Sequence, residues 1–211
     1  MTSAAALCLI RSTMIRPITE ADLDAVASLH LASYHDDHFT SRLPRKLLRN
    51  YYGEIIKLNP FSYIALSEDG QQPLGFVVGG LHTQDGINAF VRNNMLALIP
   101  VVIKHPNFLV RWLVKRLKRH SQQRTSNVKL RLLSIAVSAQ SQSRGTGQAL
   151  LRQFEQGLCS QCISEYGLSV HSTNVKAIKF YLRENFNIEF DTGEAKYYFK
   201  SLPVETLAGK K

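Results

Sequence analysis

Between Gly86 and Phe154 the chain has no Asp or Glu at all, while it carries twelve Lys and Arg there. The formal charge of +10 therefore belongs to one segment, because the rest of the chain nets −2. A block of one sign is either a solvated face or an attractor of phosphates, nucleic acid or anionic membrane. Cysteine is scarce as well, with three in 211 residues. Cys159 and Cys162 form a lone C-x-x-C with no second pair and no His at ligand spacing, which argues against zinc. They read as reduced thiols one turn apart on a helix, in keeping with a cytoplasmic protein. Long apolar runs are also missing. Met95 to Ile103 is interrupted by Pro100 and falls far short of the ~20 residues that a spanning helix needs. The stretch Ala4 to Ile10 lacks a basic region ahead of it, so it fails as a secretory signal. Since Met14 precedes the first strand-like segment, residues 1–13 are expected to be a disordered extension or an upstream start. There is no internal repeat.

What remains is one domain of ordinary composition, expected over 14–202 with a short tail at 203–211. Ile15 to Ile18 reads as a strand. Thr19 and Asp22 resemble a capping box for a helix whose inner face is Leu23, Val26, Ala27 and His30. A polar stretch, Tyr34 to His38, leads to a second helix near Pro44 to Leu58. Tyr63–Leu66 and Leu74–Val78 read as a hairpin turning at Asp69-Gly70. The next strand is Leu130–Val137, and residues 82–129 between carry helical periodicity in two pieces split at Lys104–Asn107. A Ser/Gln/Gly loop follows, then a helix with Leu150, Leu151, Phe154 and Leu158 inward. Leu168–His171 is a strand. Asn174 caps a helix with Ala177, Ile178, Tyr181 and Leu182 on its inner face. Ile188–Phe190 and Ala195–Phe199 end the chain as a meander.

Gln142-Ser143-Arg144-Gly145-Thr146-Gly147 lies between a strand and a helix. Glycines there let backbone N–H groups approach an anion, and the helix N-terminus adds about half a positive charge. A lone G-x-G is weak on its own. The next strand, however, is followed by Asn174-Val175-Lys176-Ala177-Ile178-Lys179-Phe180-Tyr181. Taken together and in this order, the two motifs resemble those of the GNAT acyltransferases, and the resemblance runs from Ile15 to Leu202 apart from the insert. It implies an α/β fold with a mixed, mostly antiparallel sheet flanked by helices, the insert lying between the third and fourth strands. It also implies an N-acetyltransferase with acetyl-CoA as co-substrate. Gln142, Ser143, Arg144, Gly145, Thr146 and Gly147 would bind the pyrophosphate, and the Ala136 and Val137 backbone would pair with the pantetheine arm. Asn174 would orient the cofactor or a water, and Tyr181 would protonate the departing thiolate.

The chain departs from the pattern at Ser169, where relatives that acetylate protein N-termini often place a Glu base. His171 points to the same side of the strand and is the candidate to replace it or relay through water. Without a Glu, an amine that is already partly neutral is favoured. One with a pKa near 10.4 is deprotonated only about once in 2,500 at pH 7, one near 8 about once in ten. The expected acceptor is thus a primary amine of a small molecule, such as a phosphate-bearing amino sugar. Tyr34, His35, Asp36, His38 and Ser169 are candidates to recognise it. The contiguous His35–His38 run does not suit a metal, and none is expected. Phe108 to His120 reads as a basic amphipathic helix, so residues 106–120 can meet an anionic acceptor or a membrane surface. Two other functions stay open: a peptide or protein acetyltransferase, and a non-catalytic module binding RNA or anionic surfaces through the insert. No recognised nucleic-acid motif is present, and the oligomeric state is open.

Overall fold

The structure is a computed structural model that describes residues 13–34, 39–106, 126–142 and 144–203. The expected N-terminal extension, apart from Thr13, lies outside the described residues, as do His35, Asp36, His38, Ser143, the Phe108–His120 helix and the tail from 204 onward.

The fold is α/β, built on a seven-stranded sheet in the order β1-β2-β3-β4-β5-β7-β6. The strands are β1 (Met14–Pro17), β2 (Ser62–Leu66), β3 (Pro73–Gly80), β4 (Arg131–Val137), β5 (Glu165–His171), β6 (Asn187–Asp191) and β7 (Ala195–Ser201). All neighbours are antiparallel except β4 and β5. The helices are α1 (Leu23–Ser33), α2 (Arg45–Leu58), α3 (Thr83–Asn93), α4 (Met95–Lys104), α5 (Thr146–Cys159) and α6 (Val175–Arg183).

Periodicity explains where each helix lies. In α1, Leu23, Val26, Ala27 and His30 are buried as their spacing requires. They join α2 residues and Ile64, Phe76, Val78 and Ala136 in the core on one face of the sheet. In α5, Leu150, Leu151, Phe154 and Leu158 are fully buried and form the opposite core with Val77, Leu132, Leu168, Val170 and Tyr181. The start of α1 is fixed by Asp22. Its carboxylate accepts from the Thr19 N–H (2.8 Å), the Thr19 hydroxyl (2.7 Å) and both ends of the Arg16 guanidinium. These bonds hold the Asp22 carboxyl down at about 2, the Arg16 bond contributing most.

The structure corrects four expectations. The last strands are not a meander, since β7 lies between β5 and β6. The first of the insert's two helical pieces is itself two helices, because the chain turns by 90° at Asn94. There the Asn94 Nδ2 caps the Phe90 carbonyl and its Oδ1 accepts from Asn50 of α2 (both 2.9 Å). Leu182 is exposed, because α6 turns only Tyr181 fully inward. Finally, α5 ends at Cys159, so Cys162 sits in the turn beyond it and not one turn further along a helix.

Candidate active site

β4 and β5 part almost as soon as they meet. Their ladder has one pair, Arg131↔Gly167, beside a Gly167 N–H bond to the Leu130 carbonyl (2.9 Å). A Cβ at Gly167 would displace the Arg131 guanidinium, which lies across this pair. From Leu132 to Val137 the β5-facing edge of β4 has no ladder with β5. Buried backbone groups need partners, so such an edge at the middle of a sheet is a place for an extended ligand to pair. On its other side β4 pairs with β3 through a bulge: Gly79 faces Leu132 and Val78 faces Ser134, which leaves Leu133 over. Without the bulge, Ser134 would fall on the α5 face; with it, Ser134 joins the α1–α2 face.

The phosphate loop stands at the C-terminal end of β4. Gly145 caps α5 in the left-handed conformation (φ 80°), with nothing within 4 Å of a Cβ built on it. No acidic residue lies in the first turn of α5. Gln142 and Arg144 are exposed and Thr146 is buried. At Gly147 a Cβ would meet Val137 and Phe180 at ordinary contact distances, 3.5 Å and more. An anionic group with an extended arm thus fits what is there: bare backbone donors at a helix N-terminus, continuous with the free edge of β4.

Tyr181 comes to this edge from α6. It is buried among Phe180 and Phe186 (ring centroids 5.4 and 5.3 Å), and burial, with the charge a Tyr34 phenolate would add, raises its pKa far above the usual phenol value. Asn174 caps α6, its Oδ1 accepting from the Ala177 N–H at 3.1 Å. Asn185 ends the helix in the left-handed region (φ 62°), which asparagine tolerates better than most non-glycine residues.

The opposite face contributes a chain of hydroxyls. Tyr34 donates to the Ile135 carbonyl (3.3 Å) and lies 2.9 Å from Ser134 Oγ, and Tyr52 donates to Ser134 (3.1 Å). His30 Nδ1 is 2.7 Å from Tyr52 Oη. Each hydrogen can be used only once, so Ser134 donates to Tyr34 and His30 donates to Tyr52. Tyr34 also stacks on His30, with centroids 4.3 Å apart. Tyr34, which the sequence reading placed with the acceptor, sets its hydroxyl against the bulge of β4. That reading missed Ser134, Tyr52 and His30 as a unit. Its available signals were a Ser inside an apolar strand and a His on the apolar face of α1.

Ser169 is exposed and His171 half-buried on the face of β5 away from Tyr181, the same side as α1 and α2. His171 Nδ1 is 2.8 Å from the Thr173 hydroxyl. Two surface hollows, of about 290 and 350 Å³, lie on other parts of the molecule. Among the described residues no group of three His, Cys, Asp or Glu is placed to hold a metal.

This is the architecture of an acyl-CoA-dependent transferase. The model of the acetyltransferase (GNAT) family matches residues 23–186, and the chain belongs to that family. It is an N-acetyltransferase with acetyl-CoA as co-substrate. No curated sequence matches the chain. Among solved structures it is similar to the PaiA N-acetyltransferase of Thermoplasma acidophilum in complex with coenzyme A (16% identity, 90% of this chain and 99% of that one, TM-score 0.58). It also resembles the Escherichia coli ribosomal-protein-S18-alanine N-acetyltransferase (16%, 94% and 97%, TM-score 0.54). A third likeness is to the Drosophila melanogaster polyamine N-acetyltransferase (14%, 90% and 100%, TM-score 0.57). At these identities the likeness is one of fold.

Proposed function

We propose that the protein acetylates a primary amine of a small molecule by direct attack of that amine on the thioester. The observation that carries this reading is the parting of β4 and β5 beside a buried phenol, Tyr181. The acetyl-CoA thioester supplies the activated acyl group. The backbone of Ala136 and Val137 holds the arm by strand-like pairing, and the loop Gln142 to Gly147 receives the pyrophosphate on the N–H groups beyond Gln142, whose own N–H donates to the Ser138 carbonyl (3.1 Å). Ser143 belongs to this loop by sequence alone. Asn174 fixes the start of α6 and thereby the position of Tyr181, two turns on. Tyr181 gives its proton to the departing sulfur, a role that requires a phenol still protonated at neutral pH. Its raised pKa supports that role.

The amine's proton leaves on the other face. His171, its ring oriented by the Nδ1 contact with the Thr173 hydroxyl (2.8 Å), takes the proton directly or through water. Ser169, two residues earlier on the same strand face, lies where the acceptor meets β5. No carboxylate stands at Ser169, which favours acceptors that are partly neutral over lysine side chains. The polyamine enzyme and the ribosomal-protein enzyme share this fold, so the fold alone does not select the acceptor.

The test is an acceptor screen that follows thiol release, with amino sugars, their phosphates, polyamines and amino acids in one panel and peptides in the other. Turnover of a small amine at least tenfold above any peptide supports the reading. Preference for peptides overturns it.

A further inference from the structure

Helix α4 is built unlike the rest of the molecule. Its sequence, Met95-Leu-Ala-Leu-Ile-Pro-Val-Val-Ile-Lys104, has one charge, at its end. A helix this apolar belongs in a core. Yet only Leu98 and Val101 are buried, and Leu96 and Ile103 are 82% and 73% exposed, with Met95 at 60% and Ile99 at 49%. The turn of 90° at Asn94 points α4 away from α3, and the Asn50–Asn94 hydrogen bond fixes that turn to α2. The exposed apolar face is therefore presented by a braced corner.

Three properties identify its partner. At ten residues α4 is about 15 Å long, half the thickness of a bilayer's hydrocarbon. Among the described residues no single helix is long and apolar enough to cross a membrane. A short apolar helix with exposed Leu and Ile side chains has the dimensions to lie in an interface. Along the sequence, the charge on either side of it is also of one sign, while Glu20 and Glu54 stand with Arg49 and Lys57 beside the corner at Asn94. Arg92 and Lys104 flank it, and in sequence the chain beyond Pro106 adds six Lys and Arg and no acid before Ser126. A second copy of the chain would bring two such segments together, like against like. An anionic surface is complementary to both the charge and the apolar face.

We propose that α4 docks the enzyme on an anionic lipid surface, lying in the interface with Leu96 and Ile103 inserted. The inference does not depend on the identity of the acceptor.

The test is flotation of the full chain with phosphatidylcholine vesicles containing about one third phosphatidylglycerol, against phosphatidylcholine alone. Wild type is expected to float with the anionic vesicles at least tenfold more than with the neutral ones, and to be released by high salt. Leu96→Glu and Ile103→Glu are each expected to weaken binding about tenfold or more, with circular dichroism and acetyl-CoA affinity unchanged. Leu96→Ser, milder for the fold, should weaken it in the same direction. Three results would overturn the proposal: no flotation of wild type, flotation unaffected by these variants, or a concentration-dependent dimer that Leu96→Glu abolishes. Wild type that stays monomeric and unbound, with α4 protected from exchange, would mean that the chain covers this face itself, and would overturn it too.

Discussion

A side chain that must surrender its proton only as sulfur departs should be hard to ionise at rest, and burial gives Tyr181 that property. Tyr181→Phe keeps the ring between Phe180 and Phe186 and removes only the donor. Turnover is expected to fall ~10²-fold with acetyl-CoA affinity unchanged, and steady-state kinetics with calorimetry check both halves. Asp22 makes a different kind of prediction. Its carboxyl is held at about 2, below the ordinary 3.8, by Arg16 and Thr19. A depressed carboxylate stabilises the fold fully above about pH 4 and loses that contribution as pH falls towards 2. Asp22→Asn should therefore cost about 1–2 kcal/mol at pH 7, the figure allowing for partly exposed Arg16, and flatten the acid limb of the stability curve measured by urea titration. Single residues were legible where local chemistry decides them, as at Asn174, whose side chain caps α6. The contact of Tyr34 with Ser134 was not, because the two lie a hundred positions apart and Ser134 reaches the right face only through a bulge.

Elements were read well where one face is buried and the period is clean, as in α1 and α5. The fold class was legible for the same reason, with the two motifs in order between alternating strands and helices. The order of β6 and β7 was not, since a period of two says which face a strand buries and nothing about its neighbour. The corner at Asn94 was missed because its partner is Asn50 on another helix. Within α5, Gly147 is the position at which bulk can be added without breaking the helix, since a Cβ there meets only Val137 and Phe180 at contact distance. Gly147→Glu should fold normally, yet it puts a carboxylate where the loop's N–H groups gather. Calorimetry is expected to show acetyl-CoA binding weakened at least ~100-fold.

At the scale of the molecule, the one sheet has two parts joined at a single β4–β5 pair. β1 to β4 are backed by α1 and α2, while β5, β7 and β6 lie beyond the parting. Arg131 spans the junction: it donates to Ser126 (2.8 Å), lies 3.8 Å from Glu189 of β6, and sits over the Tyr197 ring of β7 at 5.4 Å. Burial lowers its pKa while Glu189 opposes the shift, as expected of a cation pressed into a seam.

The outer edge of β4 then has a consequence that deuterium can report. Amide hydrogens from Leu132 to Val137 that bond to β3 should exchange slowly at all times, while those facing β5 should exchange quickly in protein without acetyl-CoA. Acetyl-CoA should slow this second set and ADP, which has the phosphates but no arm, should leave it fast. Mass spectrometry of the peptide covering β4 would thus resolve a half-protected strand, and the co-substrate would behave as the strand's missing neighbour.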